Sequence, residues 1–230
     1  ELVSRINTEC VEILIIEADF VFEEVFRGAN KLNLLGVCRG TPTQVDLEAA
    51  TQHGIAVVNT PARNAQAVAE LTLGLMLSLA RSIPASHSYV SNGHWQNPVE
   101  PYTSMRGMEL KGKTLGLVGL GAIGSLVAHL GQALGMHVLA YDPLVSTLVT
   151  KRRGTVLTSL DIILEEADFL SIHAPLTADT QNLLNRKSLA KIKRNSYIIN
   201  TASFGIIDEE ALVEFLKEGH IAGAALDVHE

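Results

Sequence analysis

The sequence predicts an α/β protein in which helices cover both faces of parallel sheets. Short apolar runs alternate with helical patterns along most of the 230 residues, and this alternation is typical of strand–helix–strand units. Apolar residues make up 47% of the chain, which is enough to bury a large core and to form two domains. A glycine-rich turn occurs only in the second half, so the two regions are expected to differ in what they bind.

The first region reads as an alternation of short strands and helices. Ile13 to Ile16 and Leu34 to Val37 are apolar runs of strand length. Asp46 is placed to cap a helix that continues to Gln52, and Ala56 to Val58 follows as a third strand. No glycine-rich turn interrupts these elements.

A long helix and an irregular segment come next. The helical pattern runs from about Ala65 to Arg81 and is expected to stop near Pro84. The segment from Ser91 to Met108 contains two prolines and reads as a loop or linker. We therefore expect one domain over residues 1–86 and a second over 87–230.

The second region opens with the most informative segment of the chain. An apolar run from Thr114 to Val118 precedes Gly119, Gly121 and Gly124, which have the spacing G-x-G-x-x-G. A helical pattern follows, and the next apolar run ends in Asp142. A strand before the glycines, a helix after them and an acid at this distance together predict a dinucleotide-binding unit.

Each part of this motif has a physical role. Gly119 permits a sharp turn, Gly121 lets the backbone approach a pyrophosphate, and Gly124 allows close packing of helix and strand. The helix that begins near Ala122 directs N–H groups and a positive dipole end at the phosphates. Asp142 would accept hydrogen bonds from the adenosine ribose and repel a 2′-phosphate, which favours NAD over NADP. The alternative is a glycine-rich turn that binds nothing.

Charge and composition exclude several other classes. The net charge is −7, which argues against a nucleic-acid-binding surface, and the basic triplet 151–153 reads as a solvated loop. Cys10 and Cys38 lack metal-ligand spacing, so no metal site is predicted and reduced thiols in the cytoplasm are expected. The longest apolar stretch, Leu71 to Leu79, is too short and too interrupted to span a membrane. Because the chain starts at Glu1 rather than Met, its native start is expected to be missing.

Several motifs in order make the sequence resemble the D-isomer-specific 2-hydroxyacid dehydrogenases. Together they span nearly the whole chain, so the resemblance is specific. Besides the glycine motif, they are VDLEAATQHGI (Val45 to Ile55), NTPARNAQAVAELTLGLMLSLAR (Asn59 to Arg81), HAPLT (His173 to Thr177), IINTA (Ile198 to Ala202) and DEEALVEFLKEGHIAGAALDV (Asp208 to Val228).

The resemblance implies a flavodoxin-like substrate domain, a Rossmann-type cofactor domain and a homodimer formed largely through the cofactor domains. It also implies NAD as cofactor and a small 2-hydroxy or 2-keto acid as substrate. Asp227 could instead cap a helix after its strand, and His173 could be purely structural. The residues that the resemblance places near the cofactor are Thr72, Ala122, Ile123, His173, Pro175, Thr201, Ala202 and Asp227.

The resemblance also exposes gaps in the catalytic set. Members of the family use an Arg to hold the substrate carboxylate and a His paired with a Glu as the acid. The Arg position of the N-T-A-R-G-G pattern is Ser203 here, with Phe204 at the following glycine. The Glu and His would lie beyond Glu230, which is itself out of register. A neutral serine cannot make the bidentate contact of an arginine with a carboxylate.

Arg39 is the best candidate to compensate for the missing arginine. It follows the strand Leu34 to Val37 in the turn Cys38-Arg39-Gly40-Thr41-Pro42, where the family's substrate-binding loop lies. From there it could reach a carboxylate, or it could be a solvated loop residue. Arg63 is a weaker candidate and is more simply a surface residue.

Two functions follow from these observations. The first is an NAD-dependent oxidoreductase acting on a small 2-hydroxy or 2-keto acid. The second is a catalytically weakened NAD(H)-binding sensor or regulatory protein. The complete cofactor motif favours the enzyme, and Ser203 favours the sensor.

Overall fold

The computed structural model describes residues 1–97, 99–146 and 154–229. It divides into two compact units, Glu1–Asn64 and Ala65–Glu230. The basic triplet 151–153 and Glu230 lie outside the described residues. The division at Asn64 differs from the boundary expected near residue 86, because the long helix after Asn64 packs into the core of the second unit.

The first unit is a three-stranded parallel sheet with helices. The strands are arranged in the order β1-β2-β3. The core of this unit is formed by its own residues, including Ile6, Phe26, Leu35 and Ala49. The elements of the unit, in chain order, are α1 (Leu2–Thr8), β1 (Ile13–Ile16), α2 (Glu23–Gly28), β2 (Leu34–Val37), α3 (Leu47–Gln52) and β3 (Ala56–Asn59).

Asp46 shows how the sequence determines one of these boundaries. Its side chain accepts a hydrogen bond from the backbone N–H of Ala49 at 2.9 Å, which satisfies an N–H that the first turn of α3 leaves without a partner. The predicted cap and the predicted helix through Gln52 are therefore both confirmed.

The second unit contains a six-stranded sheet in which all strands are parallel, in the order β6-β5-β4-β7-β8-β9. Read from the first strand of the unit, this is the doubly wound order 3-2-1-4-5-6. The predicted α/β class is confirmed. The elements of the unit are α4 (Ala65–Ala80), α5 (Ile83–Ser91), α6 (Val99–Ser104), β4 (Thr114–Val118), α7 (Ala122–Ala133), β5 (His137–Tyr141), β6 (Val156–Leu157), α8 (Leu160–Glu166), β7 (Phe169–Ile172), α9 (Arg186–Leu189), β8 (Ser196–Asn200), α10 (Glu209–Lys217) and β9 (Ile221–Leu226).

Apolar side chains cover both faces of this sheet, as expected for buried parallel strands. On one face, α4 and α7 pack over Leu115, Leu117 and Phe169. On the other face, α8, α9 and α10 pack over Leu170, Ile172 and Ile198. The central strands β4 and β7 are buried along nearly their whole length, and their carboxyl ends are therefore held rigidly.

The segment between α4 and β4 is more ordered than predicted. Pro84 lies in the first turn of α5, where proline is tolerated, instead of simply ending α4. The segment predicted as an irregular loop contains α6, Val99–Ser104. The prediction of a loop over this whole segment was wrong, because Pro101 lies in the first turn of α6, where a helix tolerates proline.

In the part of the chain that the structure describes, no single helix is long and apolar enough to cross a membrane. Helices α4 and α5 meet the length and composition criteria only as a pair, and a bend of 62° separates them.

Candidate functional site

The glycine motif forms the turn between β4 and α7. Gly119 has φ +96°, a conformation that residues with a Cβ rarely adopt. A Cβ there would lie 2.8 Å from the backbone nitrogen of Ala174. The N–H of Gly119 donates to the carbonyl of Tyr141 at 2.8 Å, which fixes the turn against the end of β5.

Gly124 and Gly121 have different roles in this turn. A Cβ on Gly124 would collide with the carbonyl oxygen of Gly119, so the glycine permits the close packing of α7 on the turn. A Cβ on Gly121 would have no atom within 4 Å. Gly121 therefore borders open space, which a bound group can occupy.

The start of α7 is suited to an anion. Gly121 is the N-cap residue and provides no side-chain hydrogen bond to the first turn. The backbone N–H groups of the first turn, near Ala122 and Ile123, are therefore available to an acceptor, and the helix dipole favours a negative one. This arrangement and the open space at Gly121 fit a pyrophosphate.

Asp142 is bound to the same turn. One carboxylate oxygen accepts the N–H of Leu120 at 2.8 Å, and the other accepts the N–H of Leu144 at 2.9 Å. Since each carboxylate oxygen has a second lone pair, both remain able to accept ribose hydroxyls. Asp142 therefore has a defined position relative to the glycine motif.

A cleft of about 440 Å³ lies at the carboxyl ends of β4, β5 and β7. It includes the predicted residues Gly119, Gly121, Asp142, His173 and Pro175. The other lining residues were not predicted from the sequence, although several of them directly follow a predicted one. These are Val118, Tyr141, Pro143, Leu144, Ala174, Thr177, Asp179, Thr180 and Leu183.

His173 lines the cleft, and part of its imidazole ring is buried. Its Nε2 lies 2.9 Å from the hydroxyl of Ser171, and its Nδ1 is buried without a hydrogen-bond partner among the described residues. Burial of the imidazole disfavours its charged form and lowers the pKa of His173 to about 4. The ring is therefore neutral near pH 7, beside a site that attracts anions.

The loop after β7 is organised by Thr180. Its hydroxyl donates to the carbonyl of Pro175 at 2.6 Å and accepts the N–H of Thr177 at 2.8 Å. Pro175 is thus held at the wall of the cleft by local hydrogen bonds.

The remaining predicted cofactor residues lie outside the cleft lining. Thr201 and Ala202 follow β8, and Asp227 follows β9. The N–H of Asp227 donates to the carbonyl of Asn200 at 2.9 Å, so the ends of these two strands are joined. Thr72 lies in α4, where its hydroxyl is 3.0 Å from that of Thr201, and both hydroxyls are buried. Thr72 therefore supports Thr201 from the helix side.

Asn200 shapes the loop that contains Ser203. Its side chain accepts the N–H of Ala202 at 3.0 Å and donates to the carbonyl of Ser203 at 2.9 Å. Ser203 is partly exposed at this edge of the sheet, and Phe204 beside it is half exposed. The loop is ordered, but the position of the family arginine carries no charge.

Arg39 lies in the first unit, where its Nε donates to the carbonyl of Glu17 at 2.8 Å. Its side chain is solvent-accessible, and it lines a separate cleft of about 420 Å³ in that unit, together with Arg63. The role of Arg39 at a substrate carboxylate stays a prediction.

Comparison with known proteins identifies the family. Residues 73–230 match the model of the D-isomer specific 2-hydroxyacid dehydrogenase, NAD binding domain. The chain belongs to this family. The predicted cofactor, NAD, agrees with the match.

Relatives and solved structures agree with this assignment. The D-3-phosphoglycerate dehydrogenase of Methanocaldococcus jannaschii is 40% identical over 232 residues, which cover 100% of the chain and 43% of the relative. That of Bacillus subtilis is 40% identical over 218 residues, covering 95% of the chain and 41% of the relative. The chain thus spans about two fifths of the length of these relatives.

Among solved structures, the TT0316 protein from Thermus thermophilus has a TM-score of 0.87 and 39% identity, covering 100% of the chain and 71% of that protein. The D-lactate dehydrogenase from Aquifex aeolicus, complexed with NAD and lactic acid, has a TM-score of 0.80 and 32% identity. The match covers 96% of the chain and 65% of that protein. The family fold therefore extends over both units of the chain.

Proposed function

We propose that the protein containing this chain is an oxidoreductase that transfers a hydride between NAD and a small 2-hydroxy or 2-keto acid. The observation that carries the proposal is the cofactor edge of the second unit, where the open turn at Gly121, the start of α7 and Asp142 form one cleft. The names of the relatives, D-3-phosphoglycerate and D-lactate dehydrogenases, support this reaction class.

Different residues of the chain would contact different parts of the cofactor. The first turn of α7 would hold the pyrophosphate, and Asp142 would accept the ribose hydroxyls. Pro175, held by Thr180, would border the adenine side. Thr201, Ala202 and Asp227 would flank the nicotinamide, which supplies or accepts the hydride.

Reduction of a 2-keto acid also needs a cation at the carboxylate and a proton donor at the carbonyl. Ser203 can donate only a neutral hydrogen bond at its edge of the sheet. We propose Arg39 as the cation, because its two terminal nitrogens make no hydrogen bond within the described residues. The absence of the family arginine is expected to cost several kcal/mol of transition-state stabilisation unless Arg39 or another cation replaces it.

The test is NADH oxidation by the full-length gene product against a panel of 2-keto acids. We expect turnover with at least one acid, and at least tenfold loss of kcat/KM in Arg39→Ala. Tight NADH binding without turnover on any acid would instead support the sensor alternative. Unchanged turnover and keto-acid Kd in Arg39→Ala would contradict the role of Arg39 alone.

We further propose a homodimer formed through the second unit. Large apolar side chains are exposed along α5, α6 and the segment between them: Ile83, Val90, Trp95, Val99 and Tyr102 are each at least half exposed. Such clustering is typical of a protein-binding surface. Sedimentation velocity should show a dimer that Trp95→Ser weakens, whereas a wild-type monomer at all concentrations would contradict the proposal.

A further inference from the structure

The first unit carries a charged cleft at the carboxyl edge of its own sheet. Glu17 directly follows β1, Arg39 lies two residues after β2, and Arg63 lies in the turn after β3. All three line the cleft of about 420 Å³. Ligands bind at the carboxyl ends of strands in open parallel sheets, so this is the edge where a ligand of the unit is expected.

Glu17 is held from two sides. Its backbone carbonyl accepts hydrogen bonds from Arg39 Nε at 2.8 Å and from Gln44 Nε2 at 3.0 Å. Gln44 is buried, so this anchor belongs to the core of the unit. The carboxylate of Glu17 therefore extends from a fixed point of the backbone.

Arg63 is paired with Glu17. Its Nη2 lies 2.6 Å from Glu17 Oε1. The preceding residue, Ala62, has φ +60°, a left-handed conformation that residues other than glycine, asparagine and aspartate seldom adopt. The turn thus holds Arg63 at the cleft at the expense of an unfavourable backbone conformation.

Arg39 differs from Arg63 because its outer nitrogens are unpaired within the described residues. The Nε is occupied by the carbonyl of Glu17, which leaves Nη1 and Nη2 as an end-on pair of donors. Such a pair matches the two oxygens of one carboxylate. Because Arg63 and Glu17 neutralise each other, the charged residues of the cleft leave a net charge of +1, which a single carboxylate balances.

This balance distinguishes two kinds of anion. A single carboxylate can bind Arg39 while Arg63 stays paired with Glu17. A dianionic phosphate would need both arginines and would then face the carboxylate of Glu17, or displace it from Arg63. Because the repulsion grows with the charge of the ligand, Glu17 penalises a phosphate more than a carboxylate.

We propose that this cleft binds the carboxylate of the substrate acid and that Glu17, through its pair with Arg63, selects against phosphorylated acids. The inference rests on the proposed function and adds a substrate class to it: acids with one negative charge. Arg39 is the binding residue, and Glu17 and Arg63 determine specificity.

The test is calorimetric titration of the full-length protein with D-glycerate and 3-phospho-D-glycerate at a mildly alkaline pH, where the phosphate is a dianion. The two probes differ only in the phosphate. We expect wild type to bind glycerate at least as tightly as phosphoglycerate. We expect Glu17→Gln to tighten glycerate binding about threefold and phosphoglycerate binding about tenfold or more, as partly exposed charges allow.

Charge-matched variants sharpen the test. Arg63→Gln should weaken binding of both probes, because it leaves Glu17 unpaired. In the double variant Glu17→Gln/Arg63→Gln the net charge is that of wild type, so glycerate affinity should return to within about twofold of the wild-type value. Glu9→Gln is the control, since Glu9 forms a similarly exposed pair with Arg5 outside the cleft.

Three results would overturn the proposal: wild type preferring phosphoglycerate tenfold or more, wild type binding neither probe, or Glu17→Gln shifting the two affinities equally. NADH binding, measured on the same variants, reports separately on the proposed function and should not change in any of them. If wild type does not bind NADH but the variants change the affinities for glycerate and phosphoglycerate as expected, the proposed oxidoreductase is rejected and the proposed anion site is retained.

Discussion

Gly121 and Gly124 belong to one turn, yet a methyl group would meet different surroundings at each. At Gly121 it would enter open space at the start of α7. At Gly124 it would meet the carbonyl oxygen of Gly119. A side chain at position 121 is therefore expected to interfere with a bound ligand, whereas a side chain at position 124 interferes with the packing of the fold.

This difference predicts opposite effects of two alanine substitutions. Gly121→Ala should change the free energy of unfolding by less than about 0.5 kcal/mol, yet weaken NADH binding at least tenfold, because the methyl group occupies the space meant for the pyrophosphate. Gly124→Ala should destabilise the protein by about 1–3 kcal/mol through overpacking. Urea unfolding and fluorescence titration with NADH measure both effects. Equal destabilisation by the two substitutions would contradict the assignment of the roles.

His173 predicts a pH dependence of stability. Its folded pKa, about 4, lies below the ordinary 6.5, so the unfolded chain binds more protons between these values. Stability is therefore fully present above pH 6.5 and falls as the pH drops towards 4, by at most about 3 kcal/mol from this group. His173→Gln should flatten the pH dependence of the free energy of unfolding across the acidic range.

An equally steep loss of stability in His173→Gln would show that other groups cause it. At this scale the sequence predicted the glycines of the turn and the acid beside them, because spacing and residue type suffice for a glycine motif. It left open whether His173 is structural, because burial of its Nδ1 depends on how β7 packs beside Gly124.

At the scale of elements, α4 is joined to the end of β8 by the buried pair Thr72 and Thr201. Thr72→Val keeps the shape of the side chain but removes the hydroxyl, and Thr201 loses a buried partner. We expect a loss of about 1–2 kcal/mol in the free energy of unfolding and weaker NADH binding, because the loop after β8 loses its support.

Thr72→Ser is the control for NADH binding, since it retains the hydroxyl that supports Thr201 and removes only a buried methyl group. Urea unfolding compares the two variants. If Thr72→Val were as stable as wild type and bound NADH as tightly, the hydrogen bond between the two threonines would contribute nothing.

Sequence patterns predicted most elements because strands and amphipathic helices leave direct signals. The strands Ile13–Ile16, Leu34–Val37 and Thr114–Val118 are all observed as predicted. The helix α6 was missed, because its short polar sequence with a proline carries no apolar periodicity. Which unit α4 joins also could not be predicted, since that depends on its packing against α7 and β8 rather than on its own sequence.

At the scale of the whole molecule, the two units have separate cores. Because the cofactor cleft is formed entirely by the second unit, NADH should stabilise that unit. At a concentration of about 100 times Kd the stabilisation is about 2.7 kcal/mol. Hydrogen exchange should therefore slow in β4, α7, β5 and β7, with much less change in β1 to β3.

Mass spectrometry of exchanged peptides, with and without NADH, measures this difference. At the same NADH concentration the Gly121→Ala variant, which binds NADH at least tenfold more weakly, should show about half of this stabilisation or less, which controls for nonspecific effects of the nucleotide. Equal protection of β1 to β3 in wild type would mean that the two units unfold as one.

The position of β4 at the centre of the six-stranded sheet has a consequence for synthesis on the ribosome. Its pairing with β5 needs only α7 in between, but its other edge pairs with β7, so that Leu115 meets Phe169 only after the long intervening segment has been made. Until then the apolar edge of β4 has unpaired backbone groups that can recruit other strands. The glycine turn can form early with β5, whereas the wall that contains His173 is completed late. The strand that precedes the cofactor motif is therefore expected to fold slowly and to bind chaperones during synthesis.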